Sequence, residues 1–158
     1  MKFPENVNAV IVCGGRNFRS RDYVFGALTL HHAMKTIGLI IQGGAAGADA
    51  LTAEWAKLHA IPCIEFKADW NRYGKRAGPK RNKEMLDYLL KVTATKFVIA
   101  FPGGAGTHNM IMQAKAKGVP VWSWEDAVNY NPPPPAYDVI FNHNRFKRLN
   151  QWKWVKCE

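Results

Sequence analysis

Three short segments of the chain place glycine beside groups able to hold an anion: Gly14-Gly15-Arg16, Gly43-Gly44-Ala45-Ala46-Gly47-Ala48-Asp49 and Pro102-Gly103-Gly104-Ala105-Gly106-Thr107. Glycine lets backbone amides approach a ligand closely, and a helix N-terminus adds unpaired N–H donors and the positive end of its dipole. Each segment leads towards an expected helix, so each is a phosphate cradle by type. Tight strand-to-helix turns also require glycine for their own geometry, but three such loops in one short chain favour a nucleotide-type site. Neither the G-x-x-x-x-G-K-[ST] loop nor the G-x-G-x-x-G fingerprint is present. A P-loop ATPase is thereby excluded, and a conventional dehydrogenase is disfavoured.

The side chains around these loops each carry two readings. Arg16 either forks onto a phosphate or carboxylate, or pairs with a local acid such as Asp22. Asp49 either touches a ribose or substrate, or simply complements the dipole of the second long helix. Arg81 stands behind Pro79, a good first helical residue, with Asn82 beside it, so a cation and an amide are presented at a positive helix end. Thr107 either donates its hydroxyl to phosphate or N-caps the last helix. Trp70 and Tyr73, in the irregular stretch before the third long helix, either stack on a base or cap the core edge. His108 reads as a helix surface residue, and His31, His32 and His59 as helix residues without catalytic work. The ligand-contacting set is therefore Gly14, Gly15, Arg16, Gly44, Asp49, Arg81, Asn82, Gly103, Gly104, Gly106 and Thr107, with Asp49 also the leading catalytic candidate.

Positioning these residues requires alternating strands and helices. Asn8–Cys13, Gly38–Ile41, Ile61–Phe66, Lys96–Phe101 and Val119–Trp122 are short and nearly continuous in apolar residues, the pattern of parallel strands buried on both faces. Between them, residues 21–36, 48–60, 79–91 and 107–117 have helical length and apolar spacing. The fold class is α/β, a Rossmann-like three-layer fold with a five-stranded parallel sheet and right-handed crossovers. If the first and fourth strands are adjacent, as in the order 3-2-1-4-5, the loops after them flank the switch point where open α/β sheets bind ligands.

The chain has 158 residues and a formal net charge of +10, enough length for one domain with its own core and too little for two catalytic domains. The basic excess sits in residues 71–118, which carry ten basic and two acidic side chains. Its densest part runs from Arg72 to Lys83, and it points to an anionic partner or to a solvated cationic face. Cys13, Cys63 and Cys157 form no C-x-x-C pair, so neither a disulfide framework nor a metal site is expected. The opening MKFPENVNAVIVCGG fits neither a secretory leader nor a membrane span, and a cytoplasmic protein is expected. The first 128 residues read as the domain. Residues 129–158 read as a proline-rich linker, Pro132 to Pro135, followed by a basic and aromatic tail packed on it.

The motifs PGGAGT at 102–107, GGR at 14–16, GGAAGAD at 43–49 and AGPKRNKEM at 77–85 together resemble the SLOG superfamily over residues 8–122, in particular its small stand-alone YspA-type branch (YpsA-related SLOG). That superfamily includes the Lonely-guy phosphoribohydrolases, the single-stranded-DNA-binding DNA-processing protein A group, and sensor domains for nucleotide-derived signals. The resemblance implies a phosphate on Gly103, Gly104, Gly106 and Thr107, with Arg81 on the same ligand, and at least a homodimer. The phosphoribohydrolase pattern, PGGxGTxxE, carries a glutamate where this chain has Met110. The expected function is therefore binding of a nucleotide or nucleotide-derived molecule, with no cofactor. The alternatives are an N-glycosidic hydrolase of nucleoside monophosphates, with Asp49 or Glu84 as its carboxylate, and a single-stranded nucleic-acid-binding module.

Overall fold

A computed structural model of the protein describes residues 7–124. The proline run, the aromatic and basic tail, Cys157 and the expected domain boundary at residue 128 lie outside the described residues. The elements run in the order β1 (Asn8–Cys13), α1 (Arg21–Met34), β2 (Ile37–Gln42), α2 (Ala48–Leu58), β3 (Cys63–Glu65), α3 (Trp70–Tyr73), a 3-10 turn (Gly74–Arg76), α4 (Ala77–Lys91), β4 (Thr95–Ala100), α5 (Ala105–Ala116) and β5 (Val121–Ser123). All strand pairs are parallel and the sheet order is β3-β2-β1-β4-β5. The Rossmann-like α/β fold is as the alternation of elements predicts, and the strand order places β1 beside β4.

The alternation of side chains along each strand separates two cores. Val10 and Val12 of β1 face α1 and α2, where they join Val24, Leu28 and Trp55. Ala9 and Ile11 face α4 and α5, where they join Met85, Leu86, Leu89 and Ile111. Covering both faces leaves β1 wholly buried, which is why its sequence is apolar without interruption. The central position of β1 brings its C-terminal end beside that of β4, so the first and fourth loops open on one side of the sheet.

The edges differ from the expectation of uniformly buried strands. β3 keeps only Cys63–Glu65 of the run Ile61–Phe66, and both Cys63 and Glu65 are exposed. Pro62 has no N–H to donate, and the Ile61 amide turns back to the Ala56 carbonyl, 2.9 Å away, so the ladder starts late. β5 likewise begins after Pro120. The segment read as irregular is helical: α3, capped by Asp69, leads through the 3-10 turn directly into α4. Pro79 is therefore the third residue of α4, where the missing N–H still costs nothing, and Arg81 lies in its second turn rather than at its opening.

Candidate functional site

The loops after β1, β2 and β4 are stitched to one another by backbone bonds. The Gly15 amide donates to the Pro102 carbonyl at 2.8 Å, and the Ala48 amide donates to the Gly15 carbonyl at 3.2 Å. So close an approach requires the two glycines of the first loop. A Cβ on Gly14 would lie 2.6 Å from Cβ of Ala48, and one on Gly15 would lie 2.9 Å from the Pro102 oxygen. The three loops and the start of α4 enclose a cleft of about 330 Å³ at the C-terminal edge of the sheet. This is the crevice position at which open α/β sheets take ligands.

Nine of the expected contact residues line this cleft: Gly14, Gly15 and Arg16 from the first loop, Asp49 from α2, Arg81 and Asn82 from α4, and Gly104, Gly106 and Thr107 from the last loop and α5. Gly44 and Gly103 do not. Gly44 has φ +70°, and its Cβ position is taken by the Glu65 carboxylate; its amide donates to Oε1 of Gln42. Gly103 makes room for the Thr107 hydroxyl and lies against the Gly15 amide. Both are structural glycines. The glycine that the sequence reading missed is Gly43, whose Cβ position faces Nη1 of Arg81 and lies 3.0 Å from Oδ2 of Asp49. A side chain there would collide with the Arg81 guanidinium and crowd the Asp49 carboxyl.

Arg81 is half-buried and held from several directions. Nη1 donates to the Gly43 carbonyl at 2.6 Å and to the Phe66 carbonyl at 3.4 Å, while Nε donates to Oδ1 of Asn82 at 3.1 Å. Among the described residues Nη2 has no hydrogen bond and the guanidinium makes no ion pair. A planar cation fixed on one edge and open on the other is preorganised for an anion. Asn82 is buried and positions more than it presents. Its Nδ2 donates to the Gly106 carbonyl and to Oδ1 of Asn109, each at 3.1 Å. Gln113 in turn donates to Asn109 at 2.7 Å and to the Pro79 carbonyl at 3.1 Å. Asn109 and Gln113 were invisible as site residues because their role is to lock α5 against α4.

Asp49 is 5% exposed, and burial pushes its carboxyl from the ordinary 3.8 up to about 6, against the opposing pull of the Ala45 amide and the Arg81 charge. The folded protein therefore binds this proton more tightly than the unfolded chain does. Stability from that proton is fully present below pH ~4 and is lost as pH rises through about 6. Asp49→Asn, whose amide oxygen still accepts from Ala45, should stabilise the protein at pH 7 by on the order of 2 kcal/mol. Urea titrations should show that advantage disappearing near pH 4. A helix-dipole role alone demands the opposite, a loss at pH 7.

Several expectations are corrected by the packing. Arg16 makes no ion pair with Asp22; its guanidinium lies over the Trp70 ring, 5.2 Å from the centroid. Thr107 is the third residue of α5 and not its N-cap, a position held by Gly104. Glu84 faces solvent opposite Lys80, 3.8 Å away, and is outside the cleft. Tyr73 packs against Lys80 and Arg72 and does not line the cleft, whereas Trp70 does. His108 is exposed on α5, as the sequence suggested. His31 is buried in the core, where it accepts from Nε1 of Trp124 at 3.2 Å and burial lowers its pKa to about 3.

Among the described residues no group of three or more His, Cys, Asp and Glu side chains is placed to hold a metal ion, and no helix is long and apolar enough to cross a membrane. Residues 8–73 match the model of the YspA, cpYpsA-related SLOG family. The chain is also similar to the Gene 61 protein of Mycobacterium phage D29, at 32% identity over 126 residues, which cover 74% of this chain and 96% of that protein.

Proposed function

The chain belongs to the YspA, cpYpsA-related SLOG family, and we propose on that footing that it binds a nucleotide or nucleotide-derived signalling molecule, which it senses, carries or sequesters. The observation that carries this reading is the pair Gly104 and Gly106. A Cβ at either position would meet nothing within 4 Å, so packing does not require glycine there. What glycine supplies at these two places is an open backbone at the N-terminus of α5, a twelve-residue helix, on the wall of the cleft that holds Arg81. Phosphate is the group that such a wall addresses. The ribose end of the ligand is then left to Asp49 and the base to the rim. Self-association as a homodimer or higher homo-oligomer, a cytoplasmic location and a domain ending near residue 128 belong to the same reading.

The test is a melting panel. At a hundredfold excess over Kd a nucleoside monophosphate should raise Tm by about 5 to 10 °C, while the matching nucleoside raises it far less. Equal shifts from nucleoside and nucleotide would remove the phosphate cradle. A steep fall of affinity with salt, with a log–log slope of several units, would favour a nucleic-acid module instead.

A second reading has its own observation. A buried carboxyl with a pKa of about 6 inside a cleft is the form a general acid or base takes near neutral pH, and Asp49 has it. N-glycosidic hydrolysis of a nucleoside monophosphate is the reaction such a group would serve. Multiple turnover to free base by the native protein, abolished in Asp49→Asn, would put this reading first.

A further inference from the structure

We propose that Trp70 is the platform on which the flat base of the ligand stacks, and that Arg16, which covers its ring in this structure, yields that place to the base and turns its charge to the ligand's phosphate. The inference rests on the nucleotide reading above and deepens it by assigning the base end of the ligand.

Among the described residues Trp70 supplies the one aromatic ring that lines the cleft. It is 47% exposed, so part of the ring remains open to a ligand at the cleft mouth. Its placement is nevertheless fixed. Asp69 caps α3 by accepting the Arg72 amide at 3.1 Å, and the indole lies over the first turn of α4. A Cβ on Gly78 would come within 3.2 Å of Cη2, so glycine at that position lets the ring lie against the helix. The exposed part of the ring therefore lies at the mouth of the cleft, with the open glycines and Arg81 also on its wall. A molecule with an anionic end and a planar apolar end matches both parts.

The distance between Arg16 and Trp70 decides how a base enters. The guanidinium carbon stands 5.2 Å from the ring centroid. A base sandwiched between them needs two stacking gaps, about 7 Å in all, so it cannot slip in while Arg16 stays. It replaces Arg16 instead. The exchange is favourable because base–aromatic stacking exceeds a cation–π contact at an exposed site. Arg16 is exposed and makes no ion pair among the described residues, so nothing holds it on the ring apart from that contact.

The test compares ribose 5-phosphate with adenosine, guanosine, cytidine and uridine monophosphates by calorimetry, on the native protein and on Trp70→Ala, Trp70→Phe and Arg16→Ala. Trp70→Ala should weaken the four nucleotides by about 5- to 150-fold and ribose 5-phosphate by less than about twofold. Trp70→Phe should retain most of the affinity, and Arg16→Ala should weaken nucleotides and ribose 5-phosphate alike. The fluorescence of 2-aminopurine riboside monophosphate should be quenched by the native protein and not by Trp70→Ala. Unchanged ribose 5-phosphate binding in Trp70→Ala doubles as proof that the variant is folded. Equal loss for both ligand classes, or no loss in Trp70→Ala while Arg81→Ala weakens binding, overturns the assignment of Trp70 and leaves the phosphate cradle standing. Failure of the native protein to bind any of these ligands overturns both.

Discussion

Met110→Glu should cost about 3 to 5 kcal/mol of stability at pH 7 and should install no hydrolase activity. The phosphoribohydrolase pattern places a glutamate at this position, which makes the substitution the natural attempt to convert the protein. Met110 is wholly buried, however, and packs in the core shared by β1, α4 and α5 rather than along the cleft. A carboxyl there would be buried among apolar side chains, so its pKa must rise above the ordinary value near 4.3. The penalty grows with pH above that value until the raised pKa is reached, so the gap between variant and native protein should narrow at pH 4 and widen at pH 7. Urea unfolding at the two pH values measures this. Base release from nucleoside monophosphates, followed by chromatography, measures the catalytic half. A stable variant that turns over nucleotides would mean that α5 is rotated relative to the arrangement described here.

Arg81→Ala should weaken binding of a nucleoside monophosphate by about 1.5 to 3 kcal/mol, roughly 10- to 150-fold, the usual scale for a hydrogen bond to a charged group. Arg76→Ala should change it by less than about twofold, because Arg76 is exposed on the 3-10 turn and does not line the cleft. The two arginines stand five residues apart in one basic run, so composition cannot tell them apart. Arg81→Ala will not be silent in stability either. The Gly43 carbonyl and Oδ1 of Asn82 both lose a donor, which should cost about 1 kcal/mol or somewhat more. Calorimetry well below the variant's Tm separates the two effects. A dominant Arg76 with a silent Arg81 would show that the anion lies on the outer basic face and not in the cleft.

What was legible in the sequence follows from short-range physics. Apolar runs of strand length alternating with helical spacing encode an α/β sheet, because side-chain direction along a strand or helix is set by the backbone itself. Glycine directly after a strand marks a turn that backbone must enter closely, so the loops at 14–16, 43–49 and 102–107 could be named as cradle candidates without coordinates. The missing glutamate at position 110 was equally plain, being a matter of residue identity.

Which glycines line the cleft was not legible. Gly44 and Gly103 stand in the same glycine pairs as Gly43 and Gly104, but Glu65 and Thr107 occupy the space beside them, and only packing brings those side chains there. The hold on Arg81 comes from Gly43, 38 positions away, and Trp70 is covered by Arg16 from across the cleft. The pKa of Asp49 depends on how much water the surrounding loops exclude, and a helix dipole argued from sequence alone points the other way. Identity, spacing and backbone period act within a few residues and survive in a linear string. Burial, the sharing of space between side chains and the electrostatics that follow from both exist only once β1 and β4 lie side by side.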